Sequence, residues 1–351
     1  MAQAALTIDL GAICNNWRAL DALSDRSCET AAVLKADAYG CGAERVGPAL
    51  ARAGCRSFFV ALAEEGAALR VALGPTPEIY VLSGLMPGDA ALVREAALTP
   101  VLNSMAQIRD FKATLAGRSC AVQLDSGMNR LGLEPAELAS VLADLALLRP
   151  KLVISHLACS DAPQDPMNAA QRAAFKAMAS ALPGIRRSLA ATGGVLLGPS
   201  FHYEMTRPGV GLFGGRPFDA AQPVLRLSLP VIQIRSLSPG EAVGYGAAWR
   251  APQSARIATL SAGYADGLIR AMGDRLCVYA GAIACPLVGR VSMDLLTADV
   301  TALDRPPATL DILCPAQSID ALAAAAGTIG YEILTSLGSR YTRHYKGGEG
   351  R

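Results

Sequence analysis

Lysine is rare in this chain, and one of its five lysines stands where its chemistry would matter. Lys35 directly follows the apolar run at residues 31–34, and burial disfavours the charged form of an amine. A nucleophilic amine of this kind could form a Schiff base with a carbonyl cofactor. On position alone, an equally good alternative is a structural lysine whose amine reaches solvent at the end of a strand.

Polar side chains follow the ends of several other β-rich runs. They are Asp125 and Arg130 after the fifth run, His156 after the sixth, Thr192 after the seventh and Arg207 after the eighth. In a (β/α)8 barrel the carboxyl ends of the strands form one face, where active sites lie. An amine, an imidazole, two guanidinium groups and a hydroxyl on that face suit an anionic cofactor and an anionic substrate.

The glycine-rich segment GVGLFG at residues 209–214 matches the pattern G-x-G-x-x-G. A dinucleotide site should open a helix and be followed by an acidic residue about 20 positions later. Here a turn-like GRPFDAAQP follows and Ile234 occupies that later position, so we exclude NAD. The loops after the seventh and eighth strands of barrels often bind phosphate, and residues 192–194 and 209–211 could do so.

Eight β-rich runs alternate with helical stretches in the first part of the chain. The runs begin at Ala31, Phe58, Glu78, Thr99, Cys120, Lys151, Arg187 and Glu204. Most are continuously apolar, which is typical of strands buried on both faces of a parallel sheet. A repeat of about 25 residues over eight units predicts a (β/α)8 TIM-type barrel, with a doubly wound open sheet as the alternative.

The rhythm changes near Arg226. From there to about Asp311, strand-like runs are separated by Pro/Gly turns, which predicts a mainly-β domain. A short helical piece is predicted from Ile319 to Leu337. The predicted architecture is therefore an N-terminal (β/α)8 barrel over residues 1–226 and a C-terminal mainly-β domain over residues 227–351.

Composition excludes several classes of protein. With a net charge of +2, the chain has no electrostatic reason to bind nucleic acid or an anionic membrane. No apolar run approaches about 18 residues, and Asp9 interrupts the apolar N-terminus, which predicts no membrane span and no secretory signal. Nine dispersed cysteines and three histidines without metal-ligand spacing predict a reducing cytoplasm and no metal site.

Seven motifs resemble, in order and across essentially the whole chain, those of bacterial alanine racemases. They are AVLKADAYG (32–40), LDSGMNRLG (124–132), SHLACSD (155–161), RPGVGLFG (207–214), GYGAAW (244–249), LSAGYADG (260–267) and GRVSMD (289–294). The resemblance implies a pyridoxal 5'-phosphate enzyme that interconverts L- and D-alanine and supplies D-alanine for peptidoglycan. It also implies a barrel followed by a β-domain, and a head-to-tail homodimer whose two sites are each completed by the partner.

The resemblance assigns the chemistry to four residues. Lys35 would hold pyridoxal phosphate as an imine and act on the α-proton of the D-enantiomer, while Tyr245 of a second subunit would be the base on the opposite face. A single base would tend to return the proton to the face it left. His156 and Arg207 would favour the tyrosine anion, and Arg207 would leave the pyridine nitrogen unprotonated, which favours racemisation over transamination.

Further residues receive binding roles from the resemblance. The phosphate would be bound by Tyr39, Thr192, Gly209, Val210 and Tyr331. The substrate carboxylate would be bound by Arg130 and the Met293 N–H, and Tyr264 and Asp294 would line the entrance. Gln123 stands where many members carry a carbamylated lysine that orients the arginine matching Arg130; its carbonyl could accept a hydrogen bond from Arg130 but brings no charge.

Two smaller departures and three alternatives remain. Thr192-Gly193-Gly194 replaces a serine-alanine-alanine pattern, and Ser292 stands where cysteine is common. One alternative is a broad-specificity or serine racemase. Another is a same-fold pyridoxal-phosphate decarboxylase of basic amino acids, which would share the barrel and the lysine but lack the opposing-tyrosine motif. A pyridoxal-phosphate carrier built on the barrel alone is the non-enzyme alternative, and the β-domain argues against it.

Overall fold

The computed structural model describes residues 4–273 and 275–348. The chain divides into two compact units. The barrel unit comprises residues 13–212 and 217–221, and the β unit comprises residues 4–12, 213–216 and 222–348. The first strand, β1 (Ala5–Asp9), belongs to the β unit, although it opens the chain.

Eight parallel strands form the barrel, the first of them interrupted at Ala31. They are β2 and β3 (Glu29–Thr30 and Ala32–Val33), β4 (Ser57–Val60), β5 (Glu78–Val81), β6 (Thr99–Leu102), β7 (Ala121–Gln123), β8 (Leu152–Ile154), β9 (Arg186–Ser188) and β10 (Met205–Thr206). Pairing runs in order from β3 to β9, and β10 pairs with β2. The Arg207 N–H donates to the Ala190 carbonyl (2.8 Å) and the Ala31 N–H to the Thr206 carbonyl (2.9 Å), which closes the ring. The predicted (β/α)8 barrel is confirmed.

The helical elements alternate with these strands. They are α1 (Leu10–Asp21), α2 (Lys35–Tyr39), α3 (Ala43–Ala53), α4 (Ala63–Leu73), α5 (Ala90–Glu95), α6 (Met105–Thr114), α7 (Pro135–Leu148), α8 (Pro166–Ala179) and α9 (Thr192–Leu196). Every residue of β4 and of β6 is buried, as expected for strands with helices on one face and a filled barrel on the other. Phe59 and Tyr80 stack inside this core with ring centroids 4.6 Å apart.

The β unit is built on one long strand, β11 (Leu225–Leu237). The strands that follow are β12 (Ala242–Val243), β13 (Trp249–Arg250), β14 (Ala255–Leu260), β15 (Cys277–Ala280), β16 (Ile283–Pro286), β17 (Leu296–Asp299), β18 (Thr309–Leu313) and β19 (Thr342–Lys346), with α10 (Ile319–Ala326) and α11 (Gly330–Ser336) before the last. The main sheet has the order β16-β15-β18-β11-β1-β19, and β14 joins β11 to β17. The mainly-β prediction is confirmed.

The N-terminal strand completes this sheet from the other end of the sequence. β1 pairs antiparallel with β11 and parallel with β19. Both partners lie after residue 224, so the β unit cannot be cut from the chain at a single position. In the part of the chain that the structure describes, no helix is long and apolar enough to cross a membrane.

Candidate active site

Lys35 lies at the carboxyl end of the first barrel strand, two residues after β3. Its side chain is partly buried. Burial lowers the pKa of the Lys35 amine, Arg130 lowers it further, and Glu65 acts in the opposite direction. The amine is therefore biased toward the neutral, nucleophilic form, which is the form that attacks a carbonyl or accepts a proton.

The residues after Lys35 form a left-handed turn. Residues 36–39 have φ between 51° and 55°, and none of them is glycine. Such a conformation costs about 1–2 kcal/mol per residue, so surrounding contacts must hold it. The Ala43 N–H donates to Asp37 Oδ1 (2.7 Å) and the Ala36 N–H to Glu65 Oε1 (2.7 Å). The turn buries Tyr39 and directs it toward the loop after β10.

That loop and the start of α9 form a small cradle. Thr192 Oγ1 accepts hydrogen bonds from the Gly209 N–H (3.0 Å) and the Gly211 N–H (3.3 Å). A Cβ at Gly209 would lie 2.3 Å from the Tyr39 hydroxyl, and one at Gly211 would lie 2.6 Å from Thr192 Cγ2. Only glycine fits at both places, because the two loops and Tyr39 approach each other at the backbone.

Arg207 is almost fully buried, with 3% of its surface exposed. Its Nη1 donates to the Ser188 carbonyl (3.0 Å) and Ser188 Oγ (2.8 Å), and its Nη2 donates to the Ser155 carbonyl (2.7 Å). The guanidinium carbon lies 5.7 Å from the Phe59 ring centroid. Burial lowers the pKa of Arg207 to about 10, so the side chain is still a cation at neutral pH. These bonds fix its orientation.

His156 lies in the same electrostatic environment. Burial lowers the pKa of His156 to about 3, and Arg207, Arg130 and Lys35 act in the same direction. The charges of Lys35, Arg130 and Arg207 therefore all act on His156. These are four of the residues that the strand ends predicted at the barrel mouth. His156 is neutral at neutral pH, so positive charge on this side of the site comes from the arginines and not from the imidazole.

Sequence reasoning missed a buried glutamine that supports His156. Gln171 on α8 is fully buried; its Nε2 donates to the His156 carbonyl (3.0 Å), and its Oε1 accepts from the Ala158 N–H (2.8 Å). Ser126 Oγ and Ser155 Oγ lie 2.7 Å apart beside it. Gln171 shares the helical spacing of the apolar residues Phe175 and Met178, and a glutamine on that core face was a usable signal.

The loop after β7 carries Arg130, whose side chain is exposed. Asp125 Oδ1 accepts from the N–H groups of Gly127 (2.8 Å), Met128 (2.9 Å) and Asn129 (3.2 Å), which folds the loop around one carboxylate. The expectation that Gln123 accepts a hydrogen bond from Arg130 is wrong for this structure. Gln123 Nε2 instead donates to the Leu131 carbonyl (3.0 Å), so it supports the loop through its backbone.

Gln123 and Asp125 both support the loop that carries Arg130, and their substitution should lower activity to different extents. Gln123→Ala removes one neutral hydrogen bond, worth about 0.5–1.5 kcal/mol, and should lower kcat/KM by about 2- to 12-fold. Asp125→Ala removes one side-chain oxygen that accepts three hydrogen bonds and should lower kcat/KM by more than about tenfold. Steady-state kinetics in both directions measure the two effects. A larger loss for Gln123→Ala than for Asp125→Ala would contradict the assignment of the carboxylate as the main support.

In the β unit, Tyr245 stands at the tip of the β12–β13 hairpin. Its side chain is 71% exposed. Gly244 and Gly246 on either side both have φ of 72°, which lets the chain reverse tightly around the tyrosine. The base of the hairpin is anchored by a cluster of buried apolar residues, namely Val243, Ala251, Ala255, Ile257 and Val288. The hairpin therefore exposes a large aromatic side chain at its tip, while apolar packing holds the other end of the hairpin.

Two further motifs of the β unit form one surface. The Tyr264 N–H donates to the Ser292 carbonyl (3.0 Å), and the Ala265 N–H donates to the Met293 carbonyl (2.9 Å). Arg340 joins both loops through Asp266 (2.6 Å) and Asp294 (2.8 Å). Tyr264, Met293 and Asp294 are therefore neighbours, each with an exposed side chain.

Tyr331 lies in the first turn of α11, also in the β unit, with its side chain partly exposed. Within the described residues, no group of three or more His, Cys, Asp or Glu side chains could hold a metal ion. The candidate donors are instead an amine, hydroxyls, guanidinium groups and backbone N–H groups, a set suited to a phosphorylated carbonyl compound.

Comparisons with known proteins agree with this arrangement. The family model "Alanine racemase, N-terminal domain" matches residues 8–217, and "Alanine racemase, C-terminal domain" matches residues 224–345. The curated alanine racemase of Dinoroseobacter shibae is 59% identical over 99% of both chains. That of Rhodospirillum rubrum is 48% identical over 99% of this chain and 96% of its own length.

Solved structures give the same result. Alanine racemase from Bartonella henselae, described with covalently bound pyridoxal phosphate, aligns with a TM-score of 0.93 and 35% identity over 99% of this chain and 100% of that chain. The biosynthetic alanine racemase from Pseudomonas aeruginosa aligns with a TM-score of 0.91 and 34% identity, with the same coverage. These comparisons define an isomerase. The chain belongs to the alanine racemase family.

Proposed function

We propose that this chain interconverts L-alanine and D-alanine, with pyridoxal phosphate held covalently on Lys35 and proton transfer by two bases, Lys35 and Tyr245 of a second copy. The observation that carries the proposal is the Lys35 amine. It lies at the end of the first barrel strand in a setting that lowers its pKa, and the turn that follows it carries Tyr39 against the glycine loop at Gly209. A lysine in such a setting suits covalent catalysis better than a structural role.

The barrel residues fit pyridoxal phosphate. Gly209 and Gly211 lie so close to the Tyr39 hydroxyl and the Thr192 side chain that only glycine fits, so both hydroxyls border the backbone of this glycine loop, with Val210 between the two glycines. This cradle would hold the phosphate, and Tyr331 is assigned to it by the family resemblance. When bound, pyridoxal phosphate supplies an electron-accepting ring that acidifies the α-hydrogen of an attached amino acid. The covalently bound cofactor of the Bartonella henselae relative supports the assignment.

Arg207 and His156 set the electronic character of the site. Arg207 is a buried cation held by three hydrogen bonds, and it keeps its own proton at neutral pH. If Arg207 is the partner of the ring nitrogen, as the family resemblance implies, it would leave that nitrogen unprotonated, which would favour return of the α-proton over transamination. His156 is neutral, and it would transmit the polarising effect of Arg207 to the phenolic oxygen of Tyr245.

The second base and the Met293 contact to the substrate would come from the β unit, whereas Arg130 belongs to the barrel unit. Tyr245 is exposed on its own chain and presented by an anchored hairpin, which supports a role in the site of a partner copy. We therefore propose a homodimer with shared sites. Arg130 and the Met293 N–H would bind the substrate carboxylate, and Tyr264 and Asp294 would form the entrance, on two loops that Arg340 joins through Asp266 and Asp294.

The biological role follows from the product. D-alanine is the product that peptidoglycan synthesis consumes, so we propose supply of D-alanine for peptidoglycan as the role. A cytoplasmic location is part of the proposal and is supported by nine cysteines that all remain free thiols.

A racemisation assay with a panel of amino acids, with and without added pyridoxal phosphate, tests the function. We expect L- and D-alanine to be interconverted and activity to depend on the cofactor. Borohydride reduction followed by peptide mapping should place the cofactor on Lys35. Preferred turnover of serine or of many amino acids would favour a broad-specificity racemase. Release of CO2 would favour the same-fold decarboxylase, and a label on another lysine would overturn the site.

A further inference from the structure

We propose that Glu65 is a positioning residue for Lys35: its carboxylate fastens the left-handed turn after the lysine to the loop after β4. The inference rests on the proposed function of Lys35 as the cofactor-binding amine. Glu65 lies in the first turn of α4 and is partly buried. None of the sequence motifs described above includes it.

Both carboxylate oxygens of Glu65 are used. Oε1 accepts from the N–H of Ala36, the residue directly after Lys35, at 2.7 Å. Oε2 accepts from the N–H groups of Ala61 (2.7 Å) and Leu62 (3.2 Å) in the loop after β4. One side chain therefore joins the ends of two neighbouring barrel strands, and it does so at the peptide that leads away from the lysine.

Helix capping accounts for only part of this arrangement. The bond to the Leu62 N–H is the kind that an acidic residue at the third helical position makes with its own helix start. The bond to the Ala36 N–H spans 29 residues of sequence and contributes nothing to the cap. It acts on four consecutive left-handed residues that would otherwise relax, and relaxation would move both Lys35 and Tyr39.

The charge of Glu65 has a second consequence. The charged groups that act on Lys35 are Arg130, which lowers the pKa of the amine, and Glu65, which raises it. His156 interacts with Lys35 as well but is neutral at neutral pH. Glu65 thus limits how far burial and Arg130 depress the pKa. Removing its charge should move the pKa of the amine to a lower value.

The test uses the full-length chain with Glu65→Gln, Glu65→Asp and the control Glu64→Gln. Glu64 is the adjacent acidic residue in the same helical turn; its side chain is exposed and makes no hydrogen bond within the described part of the chain. The first measurement is acetylation of Lys35 by acetic anhydride against pH in the cofactor-free chain. The other four lysines serve as internal standards in peptide mass spectrometry. The second is the yield of borohydride trapping of pyridoxal phosphate on Lys35.

Glu65→Gln should shift the midpoint of Lys35 acetylation to lower pH and reduce trapping about tenfold, the loss typical of one bond to a charged group. Glu65→Asp keeps the charge but is too short for both loops, so trapping should fall while the midpoint stays near that of the wild type. Glu64→Gln should match the wild type in both measurements.

The experiment separates the positioning role of Glu65 from the proposed function of Lys35. If the wild type is trapped on Lys35 but both Glu65 variants behave like Glu64→Gln, the positioning role is wrong and the proposed function stands. If the wild type is trapped on a different lysine, the proposed function fails, and the role of Glu65 fails with it. Circular dichroism of each variant ensures that trapping is compared between folded proteins.

Discussion

Lys35→Ala should lower kcat for alanine racemisation by about 10⁴-fold or more. A positioned general base contributes about 10²–10⁴-fold, and this variant also removes the covalent attachment of the cofactor. The remaining lysines cannot substitute, because a substitute amine would have to reach the carboxyl end of the first barrel strand. Interconversion of the enantiomers, followed by chiral chromatography at saturating pyridoxal phosphate, measures the loss.

A matched control separates chemistry from general damage. Lys176 is an exposed lysine on α8, so Lys176→Ala should leave kcat within about twofold of the wild type. Added methylamine should restore part of the activity of Lys35→Ala, because a small amine can occupy the space left by the side chain. Residual activity within tenfold of the wild type would contradict the assignment of Lys35.

The barrel was predictable because its strands carry a clear physical signature. Strands buried on both faces are continuously apolar, and the runs at Phe58, Thr99 and Lys151 coincide with β4, β6 and β8. The rule that strand ends converge then predicted Arg130, His156 and Arg207 near Lys35, and Arg207, Arg130 and Lys35 all lower the pKa of His156. Apolar runs in the sequence, together with the rule that strand ends converge, were sufficient to predict the barrel and the site residues at its strand ends.

The left-handed turn after Lys35 was not predictable in the same way. Alanine and tyrosine rarely adopt positive φ, and one aspartate, which does so more often, does not signal four consecutive left-handed residues in ADAY. The conformation depends on Glu65 from the next strand–helix connection and on Asp37 bonding the start of α3. Such contacts exist only after the barrel has formed, and a single sequence does not reveal them.

The N-terminal strand escaped prediction for a related reason. The segment at residues 5–9 is short, and its partners β11 and β19 lie more than half the chain away. The helical segment predicted from Ile319 to Leu337 is two helices with a break at residues 327–329, because Gly327 ends the first in a left-handed conformation. The hydrogen-bond partner of the Gln123 side chain was also not predictable, because a glutamine amide can donate as well as accept.

Tyr245→Phe should impair the two directions of racemisation unequally. If Tyr245 removes the α-hydrogen of L-alanine, its loss should slow exchange of that hydrogen by about 10²–10⁴-fold, the usual contribution of a positioned base. Exchange from D-alanine, which depends on Lys35, should fall far less. Single-turnover exchange into deuterated water, followed by mass spectrometry for each enantiomer, measures both. Tyr279→Phe in β15 of the same unit is the control and should change neither rate by more than about twofold.

Equal losses for both enantiomers would show that Tyr245 has no face-specific role.

A mixing experiment tests which chain supplies Tyr245 to a given site. Lys35→Ala and Tyr245→Phe chains should each have little racemase activity alone. If a site combines Lys35 of one copy with Tyr245 of the other, every mixed dimer has one site lacking both groups and one intact site. Random exchange of subunits should then restore roughly a quarter of wild-type activity, since about half of the dimers are mixed. If both residues act within one chain, each mixed dimer has two defective sites and no activity returns, so the recovered rate alone distinguishes a shared site from a self-contained one.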